Sequence, residues 1–195
     1  SSMSQIKLKH SGGNSVIIAA PDSNPASDRT LKLPSNADGT VLTTTNPKAG
    51  NIIQVVSAVA TSTVSSADVG PVDTGLSGSI TPSATSSKIL VIVSQSMLTR
   101  RTNGNGWSVI NYDLVRGSTV IMDGVDNIGL RASAHSPYTL IAGMFNLTFL
   151  DSPNTTSSTT YKTQAGRGPA GDSNMNWKAQ DNNSPSTITL LEVAG

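Results

Sequence analysis

The stretch KILVIVSQSML, residues 88–98, constrains this chain more than any other. Ile89, Leu90, Val91, Ile92 and Val93 follow one another without a polar break. The run is too short for a membrane span and rich in β-branched residues, so it predicts a strand buried on both faces. At Gln95 and Met97, set against Ser94 and Ser96, the pattern loosens, and one face is expected to turn towards solvent. Residues 107–122 answer this strand across Asn103-Gly104-Asn105-Gly106, a sequence built for a turn.

Eleven of the acidic residues are Asp and one, Glu192, is Glu, while Ser, Thr, Asn and Gly are abundant. Asp, Asn, Ser and Gly favour turns and caps and Thr favours strands, so helices should be scarce. The formal charge of +1 lacks the basic stripe that nucleic-acid binding requires. With no cysteine there is neither a disulfide nor a thiolate metal site. No apolar run approaches the roughly 20 residues needed to cross a bilayer, so neither nucleic acid nor membrane insertion is expected. A chain of 195 residues is long enough for one sandwich-sized domain with an additional segment.

Up to residue 48 the apolar residues come in short bursts: Ile6 and Leu8, residues 16–20, Leu31 and Leu33, Val41 and Leu42. Turn clusters such as Ser11-Gly12-Gly13-Asn14 and Asn36-Ala37-Asp38-Gly39 separate them. A segment with so few large apolar residues cannot bury them alone, and copies from neighbouring chains would supply the missing contact. Asn46-Pro47-Lys48-Ala49-Gly50 interrupts any ladder and sets the expected boundary, with an N-terminal β module over 1–48 and a knob over 49–195.

In the knob, strands are expected at 52–60, 75–80, 88–99, 107–115, 119–122, 138–150, 159–164, 175–180 and 187–193. Ile110, Tyr112 and Leu114 alternate with Asn111 and Asp113, the period-2 pattern of a half-buried strand. Arg116-Gly117-Ser118 turns this strand into the next. About nine antiparallel strands at this spacing predict an all-β protein with a sandwich of jelly-roll type.

No pattern of catalytic residues stands out. His10 and His135 have no metal-ligand spacing, and Asp123 and Asp126 around Gly124 could bind an ion loosely, though turn chemistry explains them as well. The stretch from Gly166 to Gly171 satisfies GxGxxG, but Pro169 breaks it and no helix is expected after it. No cofactor, metal or catalytic residue is assigned. The candidates for surface contact are Arg100, Arg101, Asn103, Asn105 and Trp107 at the tip after the central strand, then Arg167 in a loop spanning 165–174, and Trp177. The two tryptophans could instead pack beneath loops. Paired carboxylates meeting in a cleft would allow a polysaccharide-depolymerising spike as a minor alternative.

The runs GNIIQVVSAVATSTVSS, VDTGLSGSITPSATSSKILVIVS, YDLVRGSTVI, TLIAGMFNLTFLDSP and STITLLEVAG resemble a β-rich domain recurrent in tail-fibre and other virion-fibre proteins of bacteriophages, especially those of marine bacteria and cyanobacteria. The opening IKLKHSGGNSVIIAAPDSNPASDRTLKLPSNADGTVLTT resembles the short β module that precedes such domains. The resemblance implies a homotrimer on the virion, its N-terminal part intertwined or prism-like and joined to other phage proteins. Its C-terminal knob would be similar in layout to the jelly-roll heads of complement and tumour-necrosis-factor proteins. It also implies a host surface glycan or protein as partner. A capsid decoration protein with no receptor role is the alternative.

Overall fold

The computed structural model describes residues 5–19, 22–23, 25–28, 30, 38, 41, 47–102, 106–124, 131–134, 139–168 and 173–195. The chain divides into two compact units, Ser1–Val41 and Leu42–Gly195.

In the first unit β1 (Gln5–Lys9) and β2 (Ser15–Ala19) form an antiparallel ribbon. His10 N donates to Asn14 O (2.8 Å) and Gly13 N to His10 O (3.0 Å), while Gly12 N donates to His10 Nδ1 (3.0 Å). His10 is therefore a turn residue. Register pairs Ile6 with Ile18 and Leu8 with Val16, so four apolar side chains share one face of the ribbon. They are 57–68% exposed. Lys7 and Ile17 pair on the opposite face. The expected bursts at Leu31, Leu33 and Leu42 lie outside the described residues, and Val41 is exposed and outside any strand.

The second unit is an antiparallel β-sandwich. Its strands are β3 (Ile52–Ala60), β4 (Val64–Ser66), β5 (Val72–Ile80), β6 (Lys88–Arg101), β7 (Gly106–Arg116), β8 (Thr119–Met122), β9 (Arg131–Ala134), β10 (Thr139–Asp151), β11 (Thr159–Arg167), β12 (Met175–Ala179) and β13 (Ser186–Val193). One sheet runs β3-β13-β6-β12-β4 with β10 on the other side of β6, and the second runs β5-β11-β7-β8 with β9 also on β7. Neighbours distant in sequence give the crossed-over order of jelly-roll type.

Strand β6 is central because three strands pair with it: β10 along one edge, β13 and then β12 along the other. Its burial alternates strictly. Ile89, Val91, Val93, Gln95, Met97, Thr99 and Arg101 are buried, whereas Ile92 is 40% exposed. The expectation of a strand buried on both faces is thus corrected, since only one face of each sheet meets the other. Where the pattern loosens, the face that turns outward carries the half-buried Ser94 and Ser96, and Gln95 and Met97 keep to the inner face at 0% and 2% exposure.

Gln95 is tolerated there because its amide is satisfied. Its Oε1 accepts from Tyr112 OH (2.5 Å) and Thr163 Oγ1 (2.7 Å) of the facing sheet. With the Gln180 amide oriented so that both of its ends are satisfied, Gln95 Nε2 donates to its oxygen (2.8 Å), which also accepts from Ser186 Oγ (2.9 Å). Around this polar seam pack Leu76, Val91, Val93, Leu114, Leu147, Trp177, Ile188 and Leu190.

Two carboxylates, both in register with Ile89 at the start of β6, clip one end of the sandwich. Asp151 on β10 accepts from Arg116 Nη1 (2.8 Å) and Tyr161 OH (2.6 Å), both on the other sheet. Glu192, buried on β13, accepts from Ser83 N (2.7 Å), Ser83 Oγ (2.6 Å), Ser87 Oγ (2.7 Å) and Gln54 Nε2 (2.6 Å).

The expected boundary turn belongs to the knob. Gly50 N donates to Ala194 O and Ala194 N to Asn51 O, each at 2.8 Å, which ties residues 50–51 to the last strand's end. The division between the units therefore falls earlier, between Val41 and Leu42. Strands β4 and β9 were not expected, being three and four residues long. In β5, Gly75 at φ 84 lies in the register shift opposite Lys162 and Gln164, a bulge position that favours glycine.

Burial raises the Glu192 carboxyl, but the hydrogen bonds from Ser83, Ser87 and Gln54 outweigh it and hold the group below its ordinary value of 4.5. Its folded-state value being depressed, Glu192 contributes stability above pH 4.5 that is lost as pH falls through the folded value. Glu192→Ala should cost about 2–3 kcal/mol in urea unfolding at neutral pH, and the difference from wild type should shrink in acid. An unchanged midpoint would show that the clip contributes nothing.

Candidate functional site

The polar end of the knob forms where β6 finishes, β7 and β12 begin, and the segment after β4 passes beside them. Alternation along β6 sends Arg100 outward and Arg101 inward. Arg100 then lines an open groove of about 330 Å³ with Ala67, Thr102, Ser173, Asn174 and Asn176. Arg167 reaches the same neighbourhood: its Nε donates to Ala67 O (3.2 Å) and its backbone N to Asp68 O (2.8 Å). Asp68 is held in turn by Ser66, whose Oγ donates to Asp68 Oδ2 and accepts from Asp68 N, each at 2.9 Å. The structure thus brings Arg100 and Arg167 to two sides of one residue, Ala67. A surface of guanidinium, amide and hydroxyl groups suits hydroxylated or anionic ligands.

Trp107, on β7, is 40% exposed and sits opposite Ser133 of β9. Asn103 and Asn105 lie outside the described residues. Arg101 and Trp177 are corrected as surface contacts, since both are 0% exposed. Trp177 shares the inner face of β12 with Met175 and Ala179, and its Nε1 has no hydrogen-bond partner among the described residues. The loop expected over 165–174 is shorter than that, because β11 continues to Arg167.

Ser173 and Asn174 fall in the stretch 165–174 marked from sequence for contact, whereas Thr102 and Asn176 went unmarked. The alternation Asn174-Met175-Asn176-Trp177-Lys178-Ala179 was the available signal, as it puts the asparagines outside and the tryptophan inside.

A second concavity, of about 260 Å³, is lined by Val69, Pro71, Asn111, Asp113, Val120, Asp123 and Gly166. Burial, reinforced by the nearby Asp123 charge, pushes the Asp113 carboxyl up, against the hydrogen bond it accepts from Gly124 N (2.8 Å). A Cβ at Gly124 would lie 2.1 Å from Tyr112 O, so close backbone approach explains that glycine. Asp126 and His135 lie outside the described residues, and no group of three metal-ligating side chains converges among the described ones.

No protein-family model matches the chain, and no curated protein does. Solved structures similar to it include that of infectious bursal disease virus Gt strain, with 16% identity, TM-score 0.36, and coverage of 94% of this chain and 48% of that one. Infectious bursal virus derived T=1 particles give 19% identity and TM-score 0.36, covering 92% and 42%. The VP2 subviral particle of infectious bursal disease virus gives 15% and 0.35, covering 94% and 48%. The chain spans less than half the length of these chains. Likeness of this size carries no argument about what the chain does.

The two tryptophans differ enough to test the correction by fluorescence. In Trp107→Phe the remaining emission, from Trp177, should be shielded from acrylamide, whereas in Trp177→Phe the emission from Trp107 should be readily quenched. The opposite order would put Trp177 back on the surface.

Proposed function

We propose that this chain is a non-enzymatic structural subunit of a virion, a homotrimeric bacteriophage fibre or protrusion. Its N-terminal unit associates and anchors, and its knob contacts the host surface. The observation that carries this reading is the apolar face of the ribbon, where Ile6, Leu8, Val16 and Ile18 stand 57–68% exposed in a single copy. A two-stranded ribbon is marginal alone in water. Covering side chains this exposed is worth roughly 1–2 kcal/mol for each, so sister ribbons packed together would stabilise one another. The resemblance of the sequence to virion-fibre domains supports the same assignment.

The use of the buried polar groups is in keeping with the non-enzymatic part of the proposal. Gln95, Asp151 and Glu192 each spend their hydrogen-bonding capacity on the fold. The polar end supports the attachment role: Arg100 and the asparagines line the groove, Arg167 is bonded to the carbonyl of Ala67 at its wall, and the half-exposed Trp107 is a further candidate contact on β7. An exposed aromatic ring beside polar groups is a common way to hold a sugar face.

Light scattering on the purified chain should give three times the 20.1 kDa monomer mass, and a monomer would overturn the assembly. Labelled protein should adsorb to susceptible cells, and Arg100→Glu should weaken adsorption without shifting the unfolding midpoint. Adsorption only to particles lacking the protein would instead make it a decoration protein. Loss of viscosity on mixing with host surface polysaccharide would overturn the non-enzymatic reading.

A further inference from the structure

The two outward faces of the sandwich are unlike each other. On the five-stranded sheet Lys162 Nζ lies 2.8 Å from Asp73 Oδ1, Gln164 Nε2 donates to the same oxygen (2.6 Å), and the hydroxyls of Ser79 and Thr160 are 2.7 Å apart. That face is charged and suited to water. On the six-stranded sheet, the outward positions of β3, β13 and β10, and those of β6 between Lys88 and Arg100, carry no charged side chain.

Register makes the contrast sharper. Val55, Leu191, Leu90 and Leu150 fall in one row across four strands, and the next row sets Ile92 between Thr189 and Thr148. Val55 is 57% exposed and Leu150 50%. Continuous with this face is the edge of β10, which pairs only with β6 among the described residues. Edges open to solvent are normally guarded by charge, proline or a bulge. Over residues 139–150 this one has neither a charged residue nor a proline, and its pairing with β6 shows no register shift.

We propose that this neutral face and the adjoining β10 edge are where the knobs of sister copies pack around a common axis, an inference that rests on the self-associating reading above. The dimensions fit. Four strands at about 4.8 Å spacing make a face about 19 Å wide. Three such faces set as the sides of a triangle lie about 5–6 Å from their axis, half the roughly 10 Å that separates packed sheets. At about 3.3 Å per residue the four strands present about 700 Å² per copy, divided between two neighbours, and the β10 edge adds to each contact towards the ~800 Å² that a partner contributes to a standard stable interface. Neutrality matters as well, since symmetry brings identical residues close and like charges there would repel.

Sedimentation velocity on the full chain over a wide dilution series tests this with Ile92→Lys/Leu150→Lys, and with Val120→Lys on the other sheet, 44% exposed, as control. Wild type and Val120→Lys should sediment as the same oligomer, while the double variant should dissociate at concentrations about tenfold higher or more. A wild-type chain that stays monomeric overturns this proposal together with the reading beneath it. An oligomeric wild type whose double variant is unchanged overturns this proposal alone. Should the lysine pair impair folding, the absence of cysteine allows a single spin label at Ile92→Cys or Val120→Cys. Distances between copies should be shorter from residue 92, and the reverse order would overturn the packing.

Discussion

A two-layer sandwich hides one face of each sheet and leaves the other to whatever surrounds it. The rest of this structure depends on that constraint. Inside, β6 supplies a row from Ile89 to Arg101 on which both layers close. Outside, the two sheets diverge: the face carrying Asp73 and Lys162 is charged, and the face carrying Val55, Leu90 and Leu150 is neutral. The N-terminal ribbon has the same property in smaller form, with its apolar pairs on one side and Lys7 on the other. Among the described residues, both elements thus carry exposed apolar side chains.

The interior owes its uniqueness of register to polar groups as much as to packing. A one-residue slip of β6 would turn Gln95 away from Tyr112 and Thr163 and bring Ser94 and Ser96 inside. Asp151 and Glu192 act at the margins, each joining segments that chain connectivity alone would leave free. These groups are satisfied within the fold, and their hydrogen-bonding capacity goes into joining its layers and segments.

Much of this was legible in the sequence. The strands at 52–60 and 119–122 have the expected bounds, and Ile110, Tyr112 and Leu114 share the inner face as their alternation indicates. What misled was reading side chains by type where position decides. Five consecutive apolar residues suggested two buried faces, yet Ile92 is half out, because an apolar residue on an outer face leaves no mark in sequence that distinguishes it from core. Arg101 looked like a surface residue for its charge, and Trp177, beside a polar loop, was open to two readings, of which packing inside holds. Counting by twos from Ile89 and from Met175 places both inside. Short β4 and β9 fell below any periodic signal, and the groove's asparagines became neighbours of Arg100 only through the pairing of β12 with β6.

The central claim, that apolar surface on the ribbon is covered by sister copies, is met most directly by backbone hydrogen exchange read peptide by peptide at high and low protein concentration. The account predicts slow exchange across Gln5–Lys9 and Ser15–Ala19 in concentrated solution, lost on dilution while β6 stays protected. Exchange of the ribbon at unprotected rates at every concentration would contradict it.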